Sequence, residues 1–237
     1  MLKTEETFLN IAENAVNKAK KMGAEQAEAY ISNTKELSLD VREARVETMK
    51  LAEERGLGLR VICQGRRGFS FSTDLSSQGI DDIAGQALAN CEQTTENSHS
   101  TLPSPGWTYP TLDIYDPAIG EATVEQKIAM AKHMEESAWA FDPRVKIVES
   151  SAYQDGEALV TVVNSLGLSA VFKGSFCGIY LALAAGEGDE SQTGFAMDFG
   201  LKYNSLKPEE TGRKAAHRAV RMLGPARLAP ARLPLYW

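Results

Sequence analysis

The chain has 237 residues, 43% hydrophobic and 24% charged, with a formal net charge of −7. That length suits one large domain or two small ones with a substantial core, and the composition is that of an ordinary globular protein. The acidic balance disfavours direct nucleic-acid binding, which needs clustered Lys and Arg.

In chain order, residues 4–22 read as a helix, with Thr4 as N-cap and Glu5 and Glu6 at the positive end of its dipole. Phe8, Ile11, Ala12, Ala15, Val16 and Ala19 form its apolar stripe, and Gly23 ends it. Ala27, Ala29 and Ile31 then alternate with polar residues, as do Leu37, Leu39 and Val41. The intervening Asn33-Thr34-Lys35 predicts a hairpin between two short strands. Residues 45–54 fit helix or strand equally. From Arg55 to Asp74 the pattern is again a hairpin. Leu57, Leu59, Val61 and Cys63 share one face, Gln64 to Gly68 supplies the turn, and Phe69 and Phe71 alternate with Ser70 and Ser72. Gly56 and Gly58 are unusual inside a strand and mark a bulge or a close backbone approach.

Residues 78–92 have helical spacing, whereas 93–122 form a polar, proline-containing connector whose later aromatic residues (Trp107, Tyr109, Tyr115) point to docking on the surface. A third helix is predicted over 123–141, stopped by Asp142-Pro143, and a last one over 208–223 with Pro208 in its first turn. Between these two helices lie four or five strands. They begin at Val145, at Ala158 and at Leu168, followed by a longer run over 175–185 and a return strand through Phe195, Met197 and Phe199. Both halves therefore read helix, strands, helix. The expected class is α+β, two-layer antiparallel sheet with flanking helices, built as a duplicated α-β(4)-α unit. The expected division is 1–95, a connector 96–122, 123–224, and an atypical tail 225–237 in which Pro-Ala-Arg-Leu occurs twice.

Glu54 to Val61, Gly68 to Ser76, Asp113-Ile114-Tyr115-Asp116-Pro117 and Val163-Asn164-Ser165-Leu166-Gly167 together resemble the N-terminal half of the TldD/PmbA family, also labelled modulator of DNA gyrase. Ser72-Thr73-Asp74-Leu75-Ser76 is more similar to the PmbA (TldE) branch. The resemblance covers roughly residues 4–224. It implies a metallopeptidase assembly in which a TldD-like subunit holds zinc on an H-E-x-x-x-H motif and cleaves a flexible peptide substrate. Family members continue into a second half of similar size. A frameshifted or truncated end is therefore expected after Gly224, with a naturally short version as the alternative.

The candidate chemistry is sparse. His99, His133 and His217 are never followed by Glu and never paired at helical spacing, so no metal ligand set is predicted. Gly174-Ser175-Phe176-Cys177-Gly178 has Phe where a nucleophile elbow needs Ser, and Cys177 reads as a buried structural cysteine. Gly65-Arg66-Arg67-Gly68 joins strands and lacks the Lys-Ser/Thr of a phosphate loop; Gly186 to Glu190 is a solvated turn, not a calcium loop. Cys63, Cys91 and Cys177 are odd in number and far apart in sequence, which predicts reduced thiols. No run approaches a membrane helix, and the N-terminus lacks the apolar core of a signal peptide, so a cytoplasmic protein is expected.

The expectation is a non-catalytic PmbA/TldE-like subunit with no catalytic, cofactor or metal residue of its own. Exposed strand edges are the candidate peptide-binding surface. The rivals are a protein-binding modulator of DNA gyrase and an inactive fragment.

Overall fold

The computed structural model describes residues 5–106 and 109–224. Thr4, Trp107 and the tail 225–237 lie outside the described residues. The order of elements is α1 (Glu5–Lys21), β1 (Gln26–Arg42), β2 (Arg45–Cys63), β3 (Arg66–Ser72), α2 (Ser77–Glu92), α3 (Pro117–Glu121), α4 (Val124–Trp139), β4 (Val145–Asn164), β5 (Ser169–Glu187), β6 (Glu190–Gly200) and α5 (Pro208–Val220). The strands form one six-stranded sheet in the order β3-β2-β1-β4-β5-β6. The Ala27 carbonyl accepts the Ser165 amide and the Ala27 amide donates to the Ser165 hydroxyl, while the Arg42 guanidinium reaches the Glu149 carbonyl, so β1 and β4 run antiparallel.

The α+β class is as expected, but the strands are fewer and longer. The repeat is α-β3-α, not α-β4-α. Asn33-Thr34-Lys35 is not a turn: Gln26–Arg42 is one strand, and Asn33 is buried within it. The ambiguous 45–54 is strand, continuous with the hairpin that follows. In the second half, the segments starting at Val145 and Ala158 merge into β4, and those through Ala170 and 175–185 merge into β5.

Two compact units emerge, interleaved along the chain: residues 1–37, 51–117 and 155–176 in one, and 38–50, 118–154 and 177–237 in the other. A division at 95 and 123 follows the chain instead. The units depart from it because β1, β2, β4 and β5 are long enough to contribute to both.

In the first unit, α1 and α2 bury Phe8, Ala12, Ala15, Ile80, Ile83 and Ala87 against Ala27, Ala29, Ile31, Leu57, Leu59 and Val61. Polar side chains set the start of α2. The Ser72 hydroxyl accepts from the Asp74 amide (2.9 Å), Asp74 from the Ser76 amide (2.9 Å), and Ser76, the N-cap, from Gly79 (3.2 Å). The β2–β3 turn is only two residues, Gln64 and Gly65, both at positive φ; Arg66 already pairs with Cys63.

In the second unit, α4 begins with a Thr123/Gln126 capping box. It packs against α5 so closely that a Cβ at Gly212 would overlap the Met134 carbonyl oxygen. Ala131, Met134, Ala138, Ala215, Ala216 and Ala219 are all fully buried there. The β1–β2 turn, Glu43-Ala44, is left-handed at both positions (φ 50° and 57°) with no glycine.

Candidate functional site

The motifs that carry the family resemblance are structural joints. Asn164 accepts from the amides of Leu166 (2.9 Å) and Leu168 (3.1 Å) and donates to the Pro103 carbonyl (2.8 Å). Ser165 takes the Ala27 amide on its hydroxyl, and Gly167 completes the turn at φ 97°. The segment before α3 docks on β5: Ser175 donates its amide to the Ile114 carbonyl and accepts the Asp116 amide on its hydroxyl, each at 2.9 Å. The Lys173 ammonium lies 3.8 Å above the Tyr115 ring. Tyr115 thus anchors the connector, while Tyr109 stays exposed.

His99 sits in the connector and is exposed. His133 on α4 and His217 on α5, 84 residues apart in sequence, line one groove of about 840 Å³ with Phe141, Lys207, Glu209 and Arg213. The Phe141 ring meets His217 edge-on at 6.1 Å. Two ion pairs cross its rim, Arg213 with Glu209 (3.6 Å) and Lys207 with Glu210 (3.4 Å), and Lys214 adds a further cation. Among the described residues no three His, Cys, Asp or Glu side chains converge to hold a metal. Cys177 is buried in β5. Within Gly186 to Glu190 only Gly188 and Asp189 form the β5–β6 turn, the others being paired strand residues, and Glu187 pairs with Arg144 at 3.1 Å.

Three features escaped the sequence reading. Cys63 and Cys91 are not far apart in space: Cys91 Sγ lies 3.0 Å from the carbonyl of Arg66, which pairs with Cys63 beside the β2–β3 turn, and 3.9 Å from that of Val61. Burial and the Cys91 thiol push the Cys63 thiol up to about 11.

The second is a pair of exposed apolar rows. In the first unit Phe69 and Phe71 stand on the sheet face away from α2, 56% and 74% exposed, with rings stacked at 6.3 Å. In the second unit Phe195, Met197 and Phe199 stand away from α5, and Tyr180 lies 6.1 Å from Phe195. Glycine beneath the rings makes room: a Cβ at Gly58 would touch Phe69 at 3.0 Å, and one at Gly178 would touch Phe199 at 2.7 Å. The shared run Gly-Phe-x-apolar, at 68–71 and 194–197, is the signal in the sequence.

The third is how the two edge strands are closed. Gly68 of β3 lies so near α2 that a Cβ would overlap the Ala87 carbonyl and crowd the Cys91 amide. Gly194 of β6 stands in the same relation to Ala215 and Ala219 of α5. One residue on, Asn90 donates to the Phe69 carbonyl (2.8 Å) and Arg218 to the Phe195 carbonyl (2.6 Å). Thr94 covers the Arg67 carbonyl as well. The same device thus caps a carbonyl on each edge strand, a residue-level mark of the repeated α-β3-α element.

These observations define an α+β protein of two like elements whose exposed apolar surface is sheet face rather than open edge. Two family models match it in order: the PmbA/TldA metallopeptidase domain 1 over residues 27–91 and the PmbA/TldA metallopeptidase central domain over 117–223. The chain belongs to the PmbA/TldD metallopeptidase family. It is 25% identical to the metalloprotease PmbA of Escherichia coli O157:H7, with 95% of this chain and 51% of that protein covered. It is 26% identical to the PmbA homologue of Buchnera aphidicola, with 96% and 51% covered. The chain therefore spans about half the length of the relatives it matches. The same fold occurs in a Thermotoga maritima protein described as a candidate modulator of a DNA gyrase (TM-score 0.82, 22% identity, 94% of this chain and 50% of that chain). It occurs also in TldE of Thermococcus kodakarensis (TM-score 0.78, 17% identity, 89% and 47%). No helix among the described residues is long and apolar enough to cross a membrane.

Proposed function

We propose that this chain acts as a non-catalytic, PmbA/TldE-like subunit, or the N-terminal half of one, in a cytoplasmic TldD/PmbA-type metallopeptidase acting on flexible peptides. The observation that carries this reading is the ordered match of two metallopeptidase domain models over residues 27–91 and 117–223. In this reading zinc and the catalytic glutamate belong to a TldD-like partner. The chain's own contribution is surface. The rows of Phe69 and Phe71, and of Phe195, Met197 and Phe199, offer apolar contacts to the side chains of an unstructured peptide, in place of the capped edges.

Reconstitution tests it. The chain is mixed with a TldD-type subunit and cleavage of an unstructured peptide is followed. The expected result is no cleavage by this chain alone and faster or altered cleavage with both present, reduced when Phe195 and Phe199 are replaced by Ser. Cleavage by this chain alone, or a TldD-type subunit that neither binds it nor changes its activity, would overturn the reading.

A second reading, a modulator of DNA gyrase without enzymatic activity, is favoured by the description of the Thermotoga maritima neighbour. A gyrase supercoiling assay separates the two: inhibition at stoichiometric protein without peptidase stimulation supports the modulator.

A further inference from the structure

We propose that Cys63 and Cys91 are an oxidisable thiol pair, a disulfide-forming site that joins the end of β2 to the last turn of α2 with a small-molecule disulfide as oxidant. Cys63 belongs to the helix-facing row of β2, after Leu57, Leu59 and Val61. Cys91 faces it from α2, with Sγ 3.0 Å from the carbonyl of Arg66, the cross-strand partner of Cys63, and 3.9 Å from that of Val61. Gly68 is what allows this approach, since a Cβ there would crowd the Cys91 amide. Cys91 Sγ thus lies against the main chain on both sides of the β2–β3 turn next to Cys63, which brings the two side chains to the same point of the helix–strand packing.

Their exposure assigns the order of steps. Cys63 is half-buried and Cys91 only 2% exposed. The Cys63 thiolate attacks one sulfur of the small disulfide, breaking its S–S bond and releasing one small thiol. The Cys91 thiolate then attacks the Cys63 sulfur of the mixed disulfide and releases the second. Two protein thiols are oxidised, one small disulfide is reduced to two thiols, and the two protons leave with those thiols. The high value of the Cys63 thiol makes the first step slow at neutral pH and faster as pH rises. Cys91 lies between Asn90 and Thr94, whose side chains cap β3, so the disulfide would hold those caps in place.

The test uses the full chain incubated with oxidised glutathione at alkaline pH, then denatured, alkylated and mapped by mass spectrometry. The expected product carries a 63–91 cross-link with Cys177 alone alkylated, and its amide exchange is slowed over 90–94. Cys91→Ser is expected to stop at a mixed disulfide on Cys63, and Cys63→Ser to form no disulfide. If all three cysteines alkylate after incubation of a chain still folded by circular dichroism, or if the cross-link involves Cys177, the proposal fails. Mapping of the unsubstituted chain decides even if a variant does not fold.

Discussion

Glu135 of α4 accepts the backbone amide of Glu43 on one carboxylate oxygen at 2.7 Å, one glutamate fixing the main chain of another. Its second oxygen takes the Ala44 amide at 2.8 Å. The sharp β1–β2 turn normally calls for Asn-Gly, and Glu-Ala in left-handed geometry costs roughly 1–2 kcal/mol per residue. The buried carboxylate offsets that cost with two charge-assisted bonds. Glu135→Ala is expected to destabilise the chain by about 2–4 kcal/mol, read as a lower urea midpoint, with amide exchange at 43 and 44 accelerated. Glu135→Gln, which keeps one acceptor, should lose less; equal losses would show that the turn does not depend on the carboxylate.

Asn90 and Arg218 are expected to protect the sheet edges. Asn90→Ala and Arg218→Ala should each cost about 0.5–1.5 kcal/mol and leave a strand carbonyl unpaired. Together they should promote association through edge pairing, visible by light scattering as a concentration-dependent rise in mass. A double variant that stays at the unsubstituted mass at all concentrations would assign the caps to stability alone.

Gly68 and Gly194 have no room for a methyl group, because helix backbone lies against each. Gly68→Ala and Gly194→Ala are each expected to destabilise by about 1–3 kcal/mol. Gly85, inside α2, meets only the Met22 methyl at 3.7 Å. Gly85→Ala should therefore stabilise by about 0.5–1 kcal/mol through helix propensity. Chemical denaturation of the three variants checks both signs at once.

Asp142 accepts from the Arg144 guanidinium (2.9 and 3.0 Å) and from the Arg144 amide (2.8 Å), which hold its carboxyl down at about 2. The folded value lies below the unfolded one. The pair's contribution is therefore complete above about pH 4 and is lost as pH falls toward 2. An NMR titration of the Asp142 carboxyl should show a midpoint near 2, moving up toward the ordinary carboxylate range in Arg144→Ala. An unmoved midpoint would assign the shift to something other than Arg144.

The long helices were legible within a few residues, because stripes such as Phe8, Ala12, Ala15 and Ala19 follow the helical period and Thr123 and Pro208 mark the starts of α4 and α5. The strand lengths were not. Asn33-Thr34-Lys35 has turn composition, yet the odd-numbered residues from Ala27 to Ile31 and from Leu37 to Val41 stay in one phase across it. An unbroken period of two was a better guide than residue type. The Cys63–Cys91 contact and the groove shared by His133 and His217 depend on helix-to-strand and helix-to-helix packing, which local pattern does not encode. The exposed aromatic rows were visible as alternation, but alternation alone does not say which face the helices cover.

The interleaving of the two units bears on how the chain matures as it is made. The first unit draws on residues 155–176 and the second on residues 38–50. Neither can close while only the N-terminal half has left the ribosome. The α1-to-α2 segment shares its core with Leu159 and Val163, which follow it by more than a domain's half-length of chain. Closure of each unit therefore depends on contacts between distant parts of the chain, a slow class of folding step. It also leaves no single cut in the polypeptide that would release either unit whole.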